Sequence, residues 1–462
     1  MSVNIREVMT DPALFGSQFG GESFKPWRAL LSGFYGDPLE DDELRAWQEV
    51  TKRQKAPTEP HDELWMAIGR RGGKSQATAL LAVYEAAFRD YSDRLSPGEM
   101  ATCLVVAVDR KAARAIFRYV SGLLRSNPML ERMIVREDRE SIELSNRTII
   151  EVGTASFRST RGMTYAFACI DEVAFLRSED SANPDREIID AIRPGLATLG
   201  GKLVCLSSPY ARRGELWENY RRHFGQEGDI LVAQAPTRVM NPSLPAKVVE
   251  RAYERDEASA SAEYGAQFRS DIESFVSLED LEAVTRSSPL VRPYDNRYKY
   301  FAFVDPAGGG SDEYTMAVGH REDSVLVVDR VDAARGVPAE ITARYAAILE
   351  EYRVKTINLD KYGGSWPADE FGKHGITAEH SPKVRSELYI DSLQAITSGR
   401  VELPPDGRMQ HQWTALERRT SRAGRDTVDH PPSGSDDRAN AAAGLIALHG
   451  QTKPFAPMSE WL

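Results

Sequence analysis

A glycine-rich segment around residue 70 limits the possible folds of this chain more than any other feature. It reads Ile68-Gly69-Arg70-Arg71-Gly72-Gly73-Lys74-Ser75. The apolar run at 64–67 before it predicts a buried strand, and the alanine- and leucine-rich run at 76–88 after it predicts a helix. The backbone N–H groups of such a turn, together with the helix N-terminus, bind polyphosphates. The segment therefore predicts a phosphate-binding loop between a strand and a helix.

The loop departs in one respect from the usual spacing of such loops. In the pattern GxxxxGK[ST], the first glycine would fall at 68, but this chain has Ile68 there and the glycine follows at Gly69. Lys74 is expected to reach the β- and γ-phosphates of a nucleotide, and Ser75 is expected to hold Mg²⁺. The alternative interpretation is a chance Gly-Lys-Ser sequence at the start of a helix.

Length and composition indicate a soluble globular protein. The 462 residues suffice for two or three domains, and 41% hydrophobic with 27% charged residues is typical of this class. No apolar run reaches the ~18–20 residues of a membrane helix, and the N-terminal segment lacks a secretory signal pattern. The three cysteines lie in apolar runs, which indicates buried thiols in a reducing cytoplasm.

The charge balance argues against a surface that binds nucleic acid everywhere. The formal net charge is −11, so any DNA contact must be local. Arginine clusters that offer such contacts are Arg70/Arg71, Arg212/Arg213, Arg221/Arg222, and Arg418/Arg419 with Arg422 and Arg425. The alternative for each cluster is an ordinary solvated face.

Apolar periodicity predicts two successive α/β regions. In the first, strands are predicted at 64–68, 103–108, 166–171, 202–207 and 230–235, helices at 74–89, 110–126, 186–198 and 214–224, and a hairpin at 142–152. This alternation predicts a mostly parallel sheet with helices on both faces. A charged helical stretch at 246–268 and a linker at 287–296 follow. In the second region, strands are predicted at 299–305, 314–319, 324–329 and 354–359, and helices at 338–352, 384–398 and 436–449.

Two carboxylates, Asp171 and Glu172, end the strand predicted at 166–171. In an NTPase, the first would bind Mg²⁺ and the second would orient and polarise the attacking water. An apolar run that ends in Asp-Glu is common by chance. Its position on a later strand than the phosphate-binding loop favours the catalytic interpretation.

Two further segments are candidates for contact with a γ-phosphate. The strand at 202–207 ends in Ser207, Ser208 and Pro209, where hydroxyl groups can sense that phosphate. The loop before the Asp-Glu strand contains Arg161, and an arginine near the γ-phosphate stabilises charge in the transition state. The alternatives are a plain strand–turn boundary and an ordinary surface loop.

Acidic residues mark three separate segments of the second region. Asp305 and Asp360 end predicted strands, and Asp436 with Asp437 opens a predicted helix. Carboxylate oxygens are the ligands that Mg²⁺ and Mn²⁺ prefer, and two such ions can promote phosphodiester cleavage. Either helix-start aspartate alone would be interpreted as an N-cap, but the set of three favours a shared metal site.

The order of these motifs resembles that of the large terminase subunit of tailed double-stranded DNA bacteriophages. The resemblance covers residues 24–450, and an arginine-containing, irregular phosphate loop is usual in that family. It implies an α/β fold with an N-terminal P-loop ATPase domain of the ASCE type, followed by an RNase H-like nuclease domain. The expected divisions are a helical extension at 1–60, the ATPase domain at 61–240, a connector at 241–296, the nuclease domain at 297–450 and a tail at 451–462.

The resemblance also implies roles for individual residues. ATP and its Mg²⁺ would be bound by Gly69, Arg70, Arg71, Gly72, Gly73, Lys74, Ser75, Asp171, Ser207 and Ser208. Glu172 would be the catalytic carboxylate, Ser207-Ser208 the coupling motif, and Arg161 an arginine finger that acts in trans in a ring. An upstream glutamine that reads adenine would be Gln48 or Gln54.

For the nuclease, the resemblance implies two Mg²⁺ or Mn²⁺ ions held by Asp305, Asp360 and Asp437, with Asp436 and Asp312 as auxiliaries. Some relatives have aspartate where this chain has Asn440, so Asn440 is not counted as a ligand.

The function implied is that of a DNA-packaging motor subunit that hydrolyses ATP to drive double-stranded DNA into a prohead and cuts concatemeric DNA. Its expected partners are DNA, the portal protein, the small terminase subunit and further copies in a docked ring, with a monomer in solution. Its expected location is the host bacterial cytoplasm and, transiently, the portal, but not the mature virion. One alternative is another ATP-dependent DNA enzyme of the helicase-nuclease type, but the sequence shows no second helicase-type core. The other alternative is a non-catalytic DNA- or capsid-binding adaptor, but the presence of Lys74, Asp171 and Glu172 argues against it.

Overall fold

The computed structural model describes residues 3–154, 162–176, 184–307, 312–360, 365–420, 426–431 and 434–450. Contacts divide the chain near residue 270 into two compact units. This division falls inside the segment expected to be a connector, 241–296. Among the described residues, no helix is long and apolar enough to cross a membrane.

The first unit is built from twelve α-helices and eight strands within its described residues. They are α1 (Ile5–Thr10), α2 (Gly16–Phe19), α3 (Lys25–Phe34), α4 (Asp41–Thr51), β1 (Glu63–Ile68), α5 (Lys74–Ala87), β2 (Ala101–Ala107), α6 (Arg110–Ser126), α7 (Pro128–Glu131), β3 (Ile134–Glu137), β4 (Ser141–Leu144), β5 (Thr148–Thr154), β6 (Tyr165–Asp171), α8 (Pro184–Ala197), β7 (Lys202–Ser207), α9 (Gly214–His223), β8 (Ile230–Ala235), α10 (Thr237–Met240), α11 (Ala246–Arg255) and α12 (Glu257–Glu263). Short 3₁₀ turns lie at Glu22–Phe24 and Val173–Phe175.

These strands form one sheet in the order β3-β4-β5-β2-β6-β7-β1-β8. From β5 to β8 every neighbouring pair is parallel, and β3-β4-β5 is antiparallel. Strand β7 lies between β1, which leads into the glycine loop, and β6, which ends in Asp171. One strand between those two motifs is the arrangement of an ASCE-type P-loop sheet, so the predicted fold of this unit is confirmed.

Burial explains the composition of the central strands. β2 and β6 are buried along their whole length, because helices cover both faces of a parallel sheet. The three cysteines lie on β2, β6 and β7 and are all buried, as predicted. The N-terminal helices join the same core through Trp27 and Trp47.

Most predicted elements of this unit are confirmed, including the hairpin, which is β4 and β5. The charged helical stretch predicted at 246–268 is helical from Ala246 to Glu263 but is not continuous. The structure has two helices there, because the chain breaks at Asp256, which is extended and caps α12 by accepting from Ser259 N.

The second unit contains β9 (Ile272–Ser274), α13 (Leu278–Ala283), β10 (Tyr300–Asp305), β11 (Tyr314–Glu322), β12 (Val325–Ala334), α14 (Pro338–Glu351), β13 (Thr356–Leu359), α15 (Trp366–Lys373), β14 (Thr377–His380), α16 (Arg385–Thr397), β15 (Val401–Glu402), α17 (Gly407–Ala415), β16 (Glu417–Thr420), β17 (Asp426–Asp429) and α18 (Asp437–His449). Its main sheet has the order β14-β13-β10-β11-β12-β15. An antiparallel meander, β10-β11-β12, with β13 and β14 parallel beside β10, is the RNase H-like arrangement that was predicted.

Helix α18 packs against this sheet and against α16. It is rich in alanine because it is buried on nearly every side, and a Cβ at Gly444 would lie 2.4 Å from the ring of Phe303. This close approach places the start of α18 beside the ends of β10 and β13. A smaller sheet, β17-β16-β9, completes the described part of the unit.

Two candidate catalytic sites

The glycine loop of the first unit connects β1 directly to α5. Ile68 is the last, fully buried residue of β1, which explains why the first glycine is delayed by one position. A Cβ at Gly69 would lie 2.3 Å from Thr237 Oγ1, so only glycine fits against α10. Gly73 has a φ of 98°, a conformation that favours glycine, and Lys74 begins the helix.

Three side chains from other parts of the unit donate hydrogen bonds to three consecutive carbonyl groups of the loop. The pairs are Trp27 Nε1 to Gly72 O (2.9 Å), Thr237 Oγ1 to Arg70 O (2.8 Å) and Asn241 Nδ2 to Arg71 O (2.8 Å). Because each peptide group is planar, fixing the carbonyls also fixes the direction of the neighbouring N–H groups. The loop is therefore held in one conformation by contacts that the local sequence does not reveal.

We expect Trp27→Phe to weaken ATP binding roughly fivefold, because one hydrogen bond to a loop carbonyl is worth about 1 kcal/mol. The measurement is the dissociation constant of ATP by calorimetry. Trp413→Phe is the matched control: Trp413 is also fully buried, but its Nε1 has no hydrogen-bond partner among the described residues. Equal affinities for both variants and the wild type would contradict a role of Trp27 in holding the loop.

The Lys74 ammonium group lies at the centre of a polar cluster. It donates to Ile68 O at 3.1 Å and to Ser208 Oγ at 2.8 Å, and it lies 3.4 Å from Glu172 Oε1. The side chain of Lys74 is buried, so these acceptors replace the water it would otherwise bind. The cluster joins the glycine loop, the end of β6 and the end of β7.

The Glu172 carboxylate is held from the other side by the end of β7. Its Oε2 accepts from Ser207 Oγ at 2.8 Å and from Ser208 N at 3.2 Å. Glu172 has a φ of 53°, in the left-handed region that is uncommon for residues other than glycine. This conformation turns the carboxylate back toward Lys74 and the serines.

Asp171 is buried at the end of β6, and its carboxylate is a candidate ligand for a metal ion. Burial, and then the charge of Glu172, raises the pKa of Asp171 to about 7, although Lys74 lowers it. Its Oδ1 atom has no hydrogen-bond partner among the described residues. A buried carboxylate oxygen without a donor fits Mg²⁺, which prefers such hard oxygen ligands.

The structure thus brings together five residues predicted from the sequence: Lys74, Asp171, Glu172, Ser207 and Ser208. Ser75 lies half-buried in the first turn of α5. Arg161 lies outside the described residues. Gln48 donates to Gln54 O at 2.7 Å at the end of α4, and Gln54 is exposed.

The second site lies at the carboxyl ends of β10 and β13. These strands are adjacent and parallel, and Asp360 N donates to Val304 O, so Asp305 and Asp360 emerge side by side. Asn440, one turn into α18, donates through Nδ2 to Asp305 Oδ2 at 2.7 Å and to Asp360 Oδ2 at 2.6 Å. One amide nitrogen therefore joins two buried carboxylates.

Asp436 faces the same cluster through a different set of partners. Arg385 Nη1 lies 3.1 Å from Asp436 Oδ1, and Arg385 Nε lies 3.7 Å from Asp360 Oδ2. Tyr389 donates its hydroxyl to Asp436 Oδ2 at 2.7 Å. Asp436 is at the N-cap position of α18 but makes no capping hydrogen bond, so the N-cap interpretation is wrong for this residue.

The carboxylate of Asp437 has partners at the turn into β11. Its Oδ2 accepts from Glu313 N at 2.9 Å and from Ser435 Oγ at 2.8 Å. Burial raises the pKa of Asp437, and the charges of Asp436 and Asp312 add to this effect. Asp312 itself is exposed.

Burial, followed by the charges of Asp360 and Asp436, raises the pKa of Asp305 to about 8, although Arg385 and Asn440 lower it. The folded protein therefore binds a proton at Asp305 that the unfolded chain releases above pH 4, so this group destabilises the fold as the pH rises from 4 to 8.

We expect Asp305→Asn to raise the stability of the metal-free protein at pH 8 by on the order of 3 kcal/mol, and to have little effect near pH 4. Differential scanning calorimetry in a chelating buffer at both pH values measures this difference. Asp295→Asn, a change in a partly exposed ion pair with Arg297, is the control and should not raise the stability at pH 8. A destabilised Asp305→Asn protein at pH 8 would contradict the raised pKa.

Sequence reasoning missed several residues of these sites. The resemblance excludes Asn440 from the metal ligands, yet Asn440 donates a hydrogen bond to both strand-end aspartates. Its Oδ1 is buried without a hydrogen-bond partner among the described residues. Its position one turn after Asp436 was the available signal. Arg385 and Tyr389 carried no sequence signal. Asp429, His430 and Asp436 form a further group whose ligand atoms lie within 4.8 Å of one another.

The chain was also compared with known proteins. No protein-family model and no curated protein sequence matches it. Among solved structures, it is similar to the HK97 bacteriophage large terminase (15% identity, 84% of this chain and 91% of that chain, TM-score 0.39). It is also similar to the large terminase of a thermophilic bacteriophage in complex with ADP (13% identity, 91% and 98%, TM-score 0.41). The nuclease of the large terminase from thermophilic phage G20c with bound magnesium matches over a shorter range (18% identity, 36% and 94%, TM-score 0.32).

Proposed function

We propose that this chain is the large terminase subunit of a tailed bacteriophage, with an ATPase site in the unit before residue 270 and a metal-dependent nuclease site in the unit after it. The observation that carries the proposal is the presence of both sites on their separate sheets. Lys74, Asp171 and Glu172 converge in one, and Asp305, Asp360 and Asp436 in the other. A chain with both activities is suited to move DNA and to cut it.

In the ATPase, the residues of the first site bind the triphosphate and prepare the attacking water. The glycine loop and Lys74 bind the phosphates, and Ser75 and Asp171 hold Mg²⁺, which when bound stabilises the negative charge of the phosphates. Glu172 orients and polarises the water. Because Lys74 now contacts Glu172 and Ser208, a γ-phosphate competes for the same ammonium group, which links nucleotide binding to the serines at the end of β7.

In the nuclease, the donor set is all oxygen, which fits Mg²⁺ or Mn²⁺. Asp305, Asp360 and Asp436 are each buried and reach the cluster from three different segments. The Oδ1 of Asn440, which has no hydrogen-bond partner among the described residues, adds a fourth oxygen once its amide turns. Ions held by these carboxylates would activate a water and stabilise the leaving oxygen. Asp437 holds the turn before β11 and so supports the cluster.

The base of ATP fits a cavity beside the first turn of α5. This cavity of about 500 Å³ is lined by Gln18, Phe19, Phe24, Gln76, Arg118, Tyr119, Gly122 and Leu123. Aromatic rings can stack on adenine, and a glutamine amide can pair with its donor and acceptor edge. Gln18 is therefore our candidate for the adenine-reading glutamine, since the amide of Gln48 is already engaged at the end of α4.

We expect Gln18→Ala to raise the KM for ATP about tenfold with little change in kcat, because base contacts are equal in the ground and transition states. Steady-state ATP hydrolysis, with GTP as a second substrate, checks this and should show reduced discrimination between the two. Gln48→Ala is the matched control and should behave like the wild type. If Gln48→Ala has the larger effect, the base lies at the end of α4 instead.

Stimulation of ATP hydrolysis tests the packaging role. The full chain should hydrolyse ATP faster when purified portal or proheads and double-stranded DNA are added. A helicase-nuclease would respond to DNA alone, and an adaptor would show no turnover. The proposed partners are the portal, the small terminase subunit and further copies in a docked ring, acting in the host cytoplasm.

A further inference from the structure

Arg385, at the start of α16, is a permanent cation beside the cluster of Asp305, Asp360 and Asp436. Its guanidinium lies 3.1 Å from Asp436 and 3.7 Å from Asp360. Arginine does not lose its proton in proteins. The group therefore joins carboxylates from two different segments, as a bound metal ion does.

The other group that joins carboxylates in the cluster is neutral. Asn440 Nδ2 donates to both Asp305 and Asp360, but the amide carries no charge. A cation can take the place of the amide hydrogens while the amide turns to offer its Oδ1. Arg385 differs because it already supplies positive charge to Asp436, whose second oxygen is bound by Tyr389.

The formal charges of the cluster limit the number of divalent ions. Metal binding requires deprotonated ligands, and in that form Asp305, Asp360 and Asp436 carry −3 together. Among the described residues Arg385 reduces this to −2, which one divalent ion neutralises. A second divalent ion would leave a net charge of +2 among carboxylates that are each less than a tenth exposed. Buried charge without compensation is strongly unfavourable.

We propose that Arg385 takes the place of one of the two metal ions in the DNA-free protein, so that the carboxylate cluster binds a single divalent cation. This inference rests on the nuclease function proposed above. Removal of the guanidinium releases Asp436, and Asp429 and His430 lie within reach to complete a second ion site with it. In the wild type, a second ion then binds only when DNA is present, because a DNA phosphate supplies the additional negative charge.

The test is a calorimetric titration of the full chain with Mn²⁺ at neutral pH, without nucleotide or DNA. The number of ions bound at the cluster is the number of Mn²⁺ ions bound by each protein minus the number bound by the same protein that also carries Asp305→Asn and Asp436→Asn. We expect one ion for the wild type and two for Arg385→Gln. Arg385→Lys, which keeps the charge, and Arg344→Gln, which changes an exposed arginine paired with Asp332, should each bind one.

Each other result has a definite meaning. Two ions in the wild type, or one ion in folded Arg385→Gln, would overturn the inference and leave the nuclease site standing. If Tyr389→Phe binds two ions, the loss of one hydrogen bond to Asp436 is enough to admit the second ion, and the positive charge of Arg385 is not what excludes it. No ion in the wild type would overturn the nuclease proposal itself. If Arg385→Gln fails to fold, Arg385→Met, which keeps an unbranched side chain without the charge, takes its place with the same expected count of two.

Discussion

ATP turnover should fall by about 10²–10⁴-fold in Glu172→Gln, because the amide can no longer polarise the attacking water. ATP binding should persist, since Lys74 and the glycine loop are unchanged. The glutamine also keeps an oxygen that can accept from Ser207 Oγ and Ser208 N, so the local structure should survive. Single-turnover hydrolysis and calorimetric ATP binding measure the two effects separately.

Glu218→Gln is the matched control for this experiment. Glu218 lies on α9 in the same unit and pairs with Arg221 and Arg222 on the surface. It should leave turnover unchanged. Turnover retained in Glu172→Gln would show that another carboxylate prepares the water, and loss of ATP binding would show that the variant has disturbed the loop.

DNA cleavage should fall by at least about 10²-fold in Asp305→Asn, because the substitution removes a charged ligand from the metal site. The side chains have nearly the same shape, so the cluster should otherwise persist. Plasmid cleavage by the purified protein in Mn²⁺ measures the effect. ATP hydrolysis by the same preparation should be unchanged, because the Lys74 site belongs to a different sheet.

The stability expected of Asp305→Asn makes this result easy to interpret. The variant should be more stable than the wild type at pH 8 without metal, so loss of cleavage cannot be attributed to unfolding. Asp295→Asn, in the same unit, should cut DNA as the wild type does. Equal cleavage by Asp305→Asn and the wild type would remove the support for a nuclease, and loss of both activities would argue against independent sites.

Elements with strong local signals were predictable from the sequence. The long apolar strands β1, β2, β6 and β7 and the helices α5 and α6 were predicted within a few residues, since burial on both faces demands continuous apolar runs. The elements β9, β14, β15, β16, β17, α15 and α17 were missed. The strands among them are two to four residues long and are stabilised by pairing with other strands. The two helices are short and are stabilised by packing against neighbouring elements.

The residues Lys74, Asp171, Glu172, Asp305 and Asp360 could be identified from the chain alone, because they lie at the start of a helix or at the ends of strands, and parallel strands present their carboxyl ends at one edge. Their partners could not. Trp27 reaches Gly72 across 45 residues, and Asn440 reaches Asp305 across 135. The order of the elements and the chemical types at their ends depend on neighbouring residues, so both could be predicted from the chain. The side chains that hold the loop and the cation that joins the aspartates depend on how distant segments pack, so they became visible in the folded molecule.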